Sequence, residues 1–233
     1  MKKRMVAIAL FLALLAGCRE AGVQDFWRTH SIDYSDVDAA QDQFAIFAEK
    51  AVAAPEADAL AAMDVLFDRL KEDEVAYYLY TDWVDDAFYH LLSPCRNAAV
   101  FAKAVERMVA DGILSEGECA PYLQKAGWIQ YNQEGAPATL PVFVPQGVRT
   151  LVLVLDLGCP SCREALTVLV GKPEWADCRH VAIGCGPGPR PDVPGWEYYF
   201  PDNATDIFDP HLTPVYFVVS PDGKVEIPYT LAL

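Results

Sequence analysis

The feature that most constrains this chain is Cys159-Pro160-Ser161-Cys162, set directly after the apolar run Leu151-Val152-Leu153-Val154-Leu155. An unbroken apolar run of that length, followed by a turn, reads as a strand buried on both faces. Ser161 to Val170 then reads as a helix with an apolar face. Pro160 suits its first turn, where a missing N–H costs nothing. The start of a helix carries partial positive charge and unpaired amide N–H groups. Both favour the thiolate of Cys159, the form that attacks disulfides. Cys162 lies three residues on, about one turn away, close enough to bond with it. Half of a zinc site and two incidental core thiols are the competing readings. Zinc needs two more ligands at matching spacing. There is no second C-x-x-C, and His30, His90, His180 and His211 are scattered singly. Redox chemistry is the favoured reading, and no metal or cofactor is assigned.

The first residues read as a targeting segment. Lys2, Lys3 and Arg4 precede an apolar stretch from Val6 to Ala16, which closes on Leu15-Ala16-Gly17-Cys18. Small residues before a cysteine at that place resemble the lipobox of bacterial lipoproteins. The resemblance implies a signal peptide over 1–17, a lipid on Cys18 and a tether over 18–24. An ordinary signal peptide with a chance cysteine is the competing reading. The expected location is the cell envelope, lipid-anchored to a membrane and facing periplasm or exterior. No later stretch is long and apolar enough to cross a bilayer. Without Lys2, Lys3 and Arg4 the 18 basic residues become 15 against 33 acidic ones, a net charge of −18. Such a body is a poor partner for nucleic acid. Export lets disulfides persist. Cys95, Cys119, Cys178 and Cys185 remain unassigned, too few for a disulfide-framework fold.

The chain changes texture part-way. Residues 25–130 follow a helical pattern. Asp36 caps one helix, Pro55 stands where a second starts, and Val75 to Leu92 is an aromatic stretch read as a buried helix. Ser93-Pro94 reads as the start of a helix running to about Ala110, and Ser115-Glu116-Gly117-Glu118 as a capping box for the last one. From about Gly135 onward, strand and helix alternate. Expected strands are Thr150–Leu155, His180–Gly184, Val215–Ser220 and Lys224–Ile227. Pro221-Asp222-Gly223-Lys224 turns the last two into an antiparallel hairpin.

Strand, C-x-x-C, helix and strand, followed by Leu212-Thr213-Pro214 and Val215-Tyr216-Phe217-Val218-Val219-Ser220-Pro221-Asp222-Gly223-Lys224, resemble the thioredoxin-like proteins of the bacterial envelope. The resemblance implies an α/β thioredoxin-like domain over 135–233, with a central mixed sheet and flanking helices, after an all-α domain over 25–130. It implies that Cys159 and Cys162 are catalytic. It also implies that Thr213 and Pro214, joined by a cis bond, shape the substrate groove. An ordinary trans turn is the alternative there. In the helical half, Asp25-Phe26-Trp27, Leu92-Ser93-Pro94-Cys95-Arg96-Asn97 and Tyr131-Asn132-Gln133-Glu134-Gly135 resemble a helical domain of unknown function. That domain precedes thioredoxin-like domains in lipoproteins of gut-dwelling Gram-negative bacteria. The chain departs from the family pattern in placing Gly158 where a tryptophan is usual and Leu153 where a buried acid is usual. Asp156 is the nearest acid. The usual closing helix is missing too, so one sheet face needs cover from the helical domain or a partner.

The expected activity is thiol–disulfide exchange, with Cys159 as nucleophile and Cys162 resolving the mixed disulfide. Its partners would be envelope proteins or small thiols, together with a redox partner protein. Arg163, beside the pair, is either a tuning charge or solvated surface. The rival is a non-catalytic envelope binding module whose cysteine pair is structural or vestigial. A copper chaperone of the same fold would want C-x-x-x-C. Cys185, ending a parallel strand, is expected near the site, as a buried small hydrophobe or a third thiol.

Overall fold

A computed structural model describes residues 22–142 and 147–231. The segment 1–17, Cys18 and the first part of the tether lie outside the described residues. The described chain forms two compact units. One comprises the residues up to Phe88 together with Ala99–Ser115; the other comprises Tyr89–Ala98 and Glu116–Leu233.

The first unit is helical: α1 (Phe26–Thr29), α2 (Val37–Ala53), α3 (Glu56–Leu70), α4 (Glu74–Phe88) and α5 (Ala98–Asp111). Asp36 caps α2 through the Ala39 amide, and Pro55 precedes α3. The aromatic stretch is core. Tyr77, Tyr80 and Phe88 are fully buried, and Tyr80 packs 4.6 Å from Trp83. Trp27, Phe44 and Phe47 close the same cluster. Arg107 ties the acidic helices together, reaching Asp64, Asp68 and Asp111. Asp111 also pairs with Lys71 at 2.8 Å.

Helix α5 begins at Ala98, four residues after the start that Ser93-Pro94 suggests. Ser93 does not cap a helix. Its Oγ accepts from the Cys95 amide two residues on, and its carbonyl accepts from Arg96, which makes a turn. A serine side chain bonding so close to home competes with helix.

The second unit holds α6 (Glu116–Trp128), β1 (Thr150–Asp156), α7 (Pro160–Val170), β2 (Arg179–Cys185), β3 (Glu197–Tyr199), α8 (Ala204–Ile207), β4 (Val215–Val219) and β5 (Val225–Leu231). The sheet order is β3-β2-β1-β4-β5. β1, β2 and β3 are parallel; β4 runs antiparallel to β1 and to β5. The β4–β5 turn is as expected, with Gly223 at φ +84° donating to the Ser220 carbonyl. β5 continues to Leu231, so strand occupies the stretch after the hairpin.

Each sheet face has its own core. Leu151, Leu153 and Leu155 pack with Cys162, Leu166 and Leu169 of α7 and with Trp175 and Trp196. On the other face, Val152, Val154, Ile183 and Phe217 pack with Phe208. Leu91, Ala138, Leu140 and Val142 lie against that second face. Trp128, ending α6, donates from Nε1 to the Thr205 carbonyl on α8. The face opposite α7 is therefore covered by α8 and by segments preceding β1. Tyr89–Ala98 and α6 belong with the sheet, although their sequence reads as part of one helical stretch.

The Tyr131–Gly135 motif makes this junction. Asn132 adopts φ +53°, a conformation asparagine tolerates better than most residues. It is buried, donating to Tyr229 Oη and accepting from the Thr139 amide, both at 2.7 Å. Gly135–Ala138 then runs along the start of β5, Gly135 donating to the Val225 carbonyl and Val225 donating to the Ala136 carbonyl. That pairing protects part of an edge strand.

Candidate active site

The site grows from the end of β1. Every residue of that strand but Asp156 is buried. The chain then turns sharply. The Asp156 carboxylate accepts from the Gly158 amide at 2.8 Å, and its carbonyl accepts from the Cys159 amide at 3.1 Å. Leu157 donates to the Cys185 carbonyl and so ties the turn to β2. Cys159 follows as the extended N-cap of α7, with Pro160 in the first turn. The buried face of α7 is Cys162, Ala165, Leu166 and Leu169, one residue per turn and its neighbour. Periodicity alone thus sends Cys162 inward and leaves Cys159 half-exposed.

This placement separates the two thiols electrostatically. Cys159 Sγ lies 3.1 Å from Ser161 Oγ. That hydrogen bond, followed by the Cys162 backbone at the helix start, holds the Cys159 pKa below the ordinary thiol value. Burial pushes the Cys162 thiol up to about 12, and its hydrogen bond to Cys159 adds to the rise. The Asp156 backbone and the Thr213 side chain act in the opposite direction. One thiol is therefore poised to ionise at the surface, while its neighbour stays protonated below it and donates to it. That is the division of labour a nucleophile and a resolving thiol require.

Thr213 and Pro214 reach the same place from the other side of the sheet. The peptide between them is cis. Val215 opens β4 opposite Val154 of β1, two residues before Asp156. Thr213 Oγ1 donates to the Pro210 carbonyl at 2.9 Å, closing the short 3₁₀ turn Pro210–Leu212. The structure thus brings Cys159, Cys162, Thr213 and the Asp156 backbone together.

Asp156 and Cys185 stand elsewhere in detail. They are register partners at the ends of β1 and β2. Cys185, however, belongs to the core with Val152, Val154 and Phe208, on the face away from Cys162. Burial, and then the Asp156 charge, pushes its thiol up to about 11. Cys185 is near the pair along the strand and turned from it across the sheet. Arg163 is exposed. Cys178, just ahead of β2, lies 3.6 Å from an Arg149 nitrogen. Among the described residues no group of three His, Cys, Asp or Glu side chains is placed to hold a metal ion.

Two contributors escape sequence reasoning. Ser161 reads only as a helix residue until its hydroxyl is seen beside Cys159. Gly188, in the loop after β2, lies so close to the site's turn that a Cβ there would stand 2.5 Å from the Leu157 carbonyl carbon. The Pro/Gly richness of Gly186–Gly195 is the signal for such an approach.

A solved structure of a thioredoxin-like protein from Bacteroides caccae ATCC 43185 superposes on this chain with a TM-score of 0.66. The match covers 90% of this chain and 87% of that one, at 17% sequence identity. The fold is thioredoxin-like. No protein-family model and no curated protein matches the chain. In this thioredoxin-like setting the C-x-x-C stands at the carboxyl end of a central parallel strand. Open sheets with parallel strands place functional groups at that edge.

Proposed function

We propose that the protein is a lipid-anchored thiol–disulfide oxidoreductase of the cell envelope, acting through Cys159 and Cys162. The observation that carries the reading is the contrast between the two thiols: one half-exposed with a lowered pKa, the other buried and raised to about 12. Incidental core thiols have no reason to differ in this way.

In the reductive direction the Cys159 thiolate attacks one sulfur of a substrate disulfide. The other substrate sulfur leaves as a thiolate and takes up a proton. Cys162 then loses its proton and attacks Cys159 Sγ, and the second substrate sulfur leaves and is protonated. Two protein thiols become one disulfide as one substrate disulfide becomes two thiols. The reverse sequence oxidises a dithiol. Partners are envelope proteins or small thiols, with a second redox protein restoring the pair. Cys18, following Leu15-Ala16-Gly17, supplies the anchor.

The test is Cys162→Ser, which leaves a nucleophile without a resolver. It is expected to accumulate envelope proteins as mixed disulfides on Cys159, released by dithiothreitol, whereas Cys159→Ser accumulates none. Mass spectrometry of the mature N-terminus reads the lipid. If Cys162→Ser traps nothing, and the wild-type pair exchanges with no model disulfide or dithiol, the pair is structural and the binding-module reading replaces this one.

A further inference from the structure

The loop between β2 and β3 forms a wall beside the turn that presents Cys159. A Cβ on Gly188 would stand 2.5 Å from the Leu157 carbonyl carbon, and one on Gly158 would stand 3.9 Å from the Pro187 carbonyl oxygen. The loop therefore passes beside the residue that precedes the nucleophile. It is also stiff. Pro187, Pro189, Pro191 and Pro194 each fix a backbone φ. Further on, Tyr198 Oη accepts from the Val193 amide at 3.0 Å and donates to the Val193 carbonyl at 2.9 Å. Arg190 lies between these two anchors, within about 7 Å of chain from Gly188. Its guanidinium stands 4.6 Å from the centroid of the Phe200 ring. Phe200 packs against the core that holds Cys162 and borders Cys159. A Cβ on Gly184 would meet the Phe200 ring at 2.7 Å and the Leu157 side chain at 3.1 Å, so both rings of contact close on the site's own turn. In the sheet order, this loop lies on the β2 side of β1, and the Thr213–Pro214 turn lies on the β4 side. A substrate at Cys159 has one on each flank.

The charge of Arg190 is not neutralised within the protein. The chain has 33 acidic residues against 18 basic ones, and Lys71, Lys103, Arg107, Arg149 and Arg179 each have a carboxylate partner. Among the described residues Arg190 has no such partner, and it is exposed. The ring takes one face of the guanidinium and leaves the N–H donors around its edge free, in the fork that matches a carboxylate. Asp156, the acid of the neighbouring turn, already has its carboxylate engaged by the Gly158 amide at 2.8 Å.

We propose that Arg190 is a specificity-determining residue for the exchange reaction: it binds a carboxylate flanking the substrate's reacting cysteine, so that the pair favours acidic protein segments. The proposal rests on the reading of Cys159 and Cys162 as an exchange pair. The selection is local. The wider body is acidic and repels such segments at long range, an effect that salt screens beyond about 8 Å at physiological strength.

The experiment measures how fast the reduced full chain reduces disulfide-bridged peptides of one sequence, with Glu, Gln or Lys on either side of the bridged cysteine, at physiological salt. Arg190→Gln keeps a planar side chain over Phe200 and removes the charge. The Glu-to-Gln rate ratio is expected to fall about twofold to fivefold from its wild-type value, the size of one exposed ion pair. Arg190→Glu should carry the ratio further in the same direction. Lys172→Gln removes the same charge beyond the far end of α7 and should leave the ratio unchanged. Should Arg190→Gln fail to fold, Arg190→Met, which keeps an apolar stem on the ring, carries the same expectation. A wild-type ratio in Arg190→Gln, even with a lowered melting temperature, makes the stacked arginine structural only and overturns the proposal. An equal fall in Lys172→Gln overturns it as well, because overall charge is then the cause. A wild-type chain that reduces none of the peptides sinks the exchange reading and this proposal with it, whereas an active chain whose ratios ignore Arg190 sinks this proposal alone.

Discussion

The asymmetry of the two thiols can be measured without any substrate. Cys162 is raised from the ordinary thiol value of 9.0 to about 12. That difference leaves it about a thousandfold fewer thiolates near pH 7 than an ordinary thiol has, or about 4 kcal/mol against ionisation. Burial is the larger cause and the bond to Cys159 the next. Cys159→Ser removes the second cause and keeps the first. The Cys162 titration should therefore move down from about 12 and still remain above 9.0. Peptide-mapped alkylation with iodoacetamide, from about pH 7 to about pH 11, reads this directly. The rate at Cys162 should climb without levelling through the ordinary range. In the wild type the rate at Cys159 should level off below 9.0. The plateau is the readout, because burial alone slows Cys162 at every pH. A stability measurement checks the same quantity. A folded-state pKa above the unfolded one contributes stability in full below the unfolded value, and that stability is lost as pH rises through the folded value. For Cys162 the window runs from 9.0 to about 12. Cys185, raised to about 11, adds loss within it. The reduced protein should lose urea resistance across that range. Once Cys162 is in a disulfide it cannot titrate, so the oxidised protein should lose less. A Cys162 plateau at or below the ordinary value, or equal alkaline losses in both forms, would refute the reasoning.

Two further expectations concern the frame around the site. A fragment beginning at Gly135 lacks Tyr89–Ala98 and α6, so the face built on Val152, Phe208 and Phe217 loses part of its cover. It should aggregate or bind a hydrophobic dye, and a soluble monomer unfolding cooperatively in urea would contradict this. Gly188→Ala drives a Cβ against the Leu157 backbone and should cost about 1–3 kcal/mol in urea unfolding, whereas Gly117→Ala, with nothing within 4 Å, should be neutral or mildly stabilising; equal effects at the two sites would show that the loop gives way freely.

How much of this was legible in the sequence follows from how local each cause is. The strand ending in Cys159, the helix after it and the Pro221–Lys224 turn rest on neighbouring residues, and a period of two or 3.6 reveals them. The inward turn of Cys162 is legible for the same reason. Cys185 shows where locality ends. Its place at the strand end can be read from the apolar run, but its face depends on the register with Asp156, which pairing alone decides. Ser93-Pro94 misleads because a capping residue and a turn residue are the same chemistry in different company. The membership of Tyr89–Ala98 and α6 is hidden for a stronger reason. Amphipathic spacing says that a helix has a face to bury and not what it is buried against.

The departures from the family pattern bear on how the pair works. Leu153, at the place of the usual buried acid, lies in the same apolar core as Cys162. Asp156 meets Cys162 only through its backbone, while its carboxylate is engaged by Gly158. The rise at Cys162 is therefore due to burial and to Cys159, and a carboxylate in its core would push the thiol higher still. What lowers it is first the Asp156 backbone and then the Thr213 side chain, neither of them charged. At Cys159 the nearest help is again neutral: a serine hydroxyl and the amides of a helix start. The pair is tuned by dipoles and by burial, with charge kept at a distance. Its pH response should then follow the two thiols themselves.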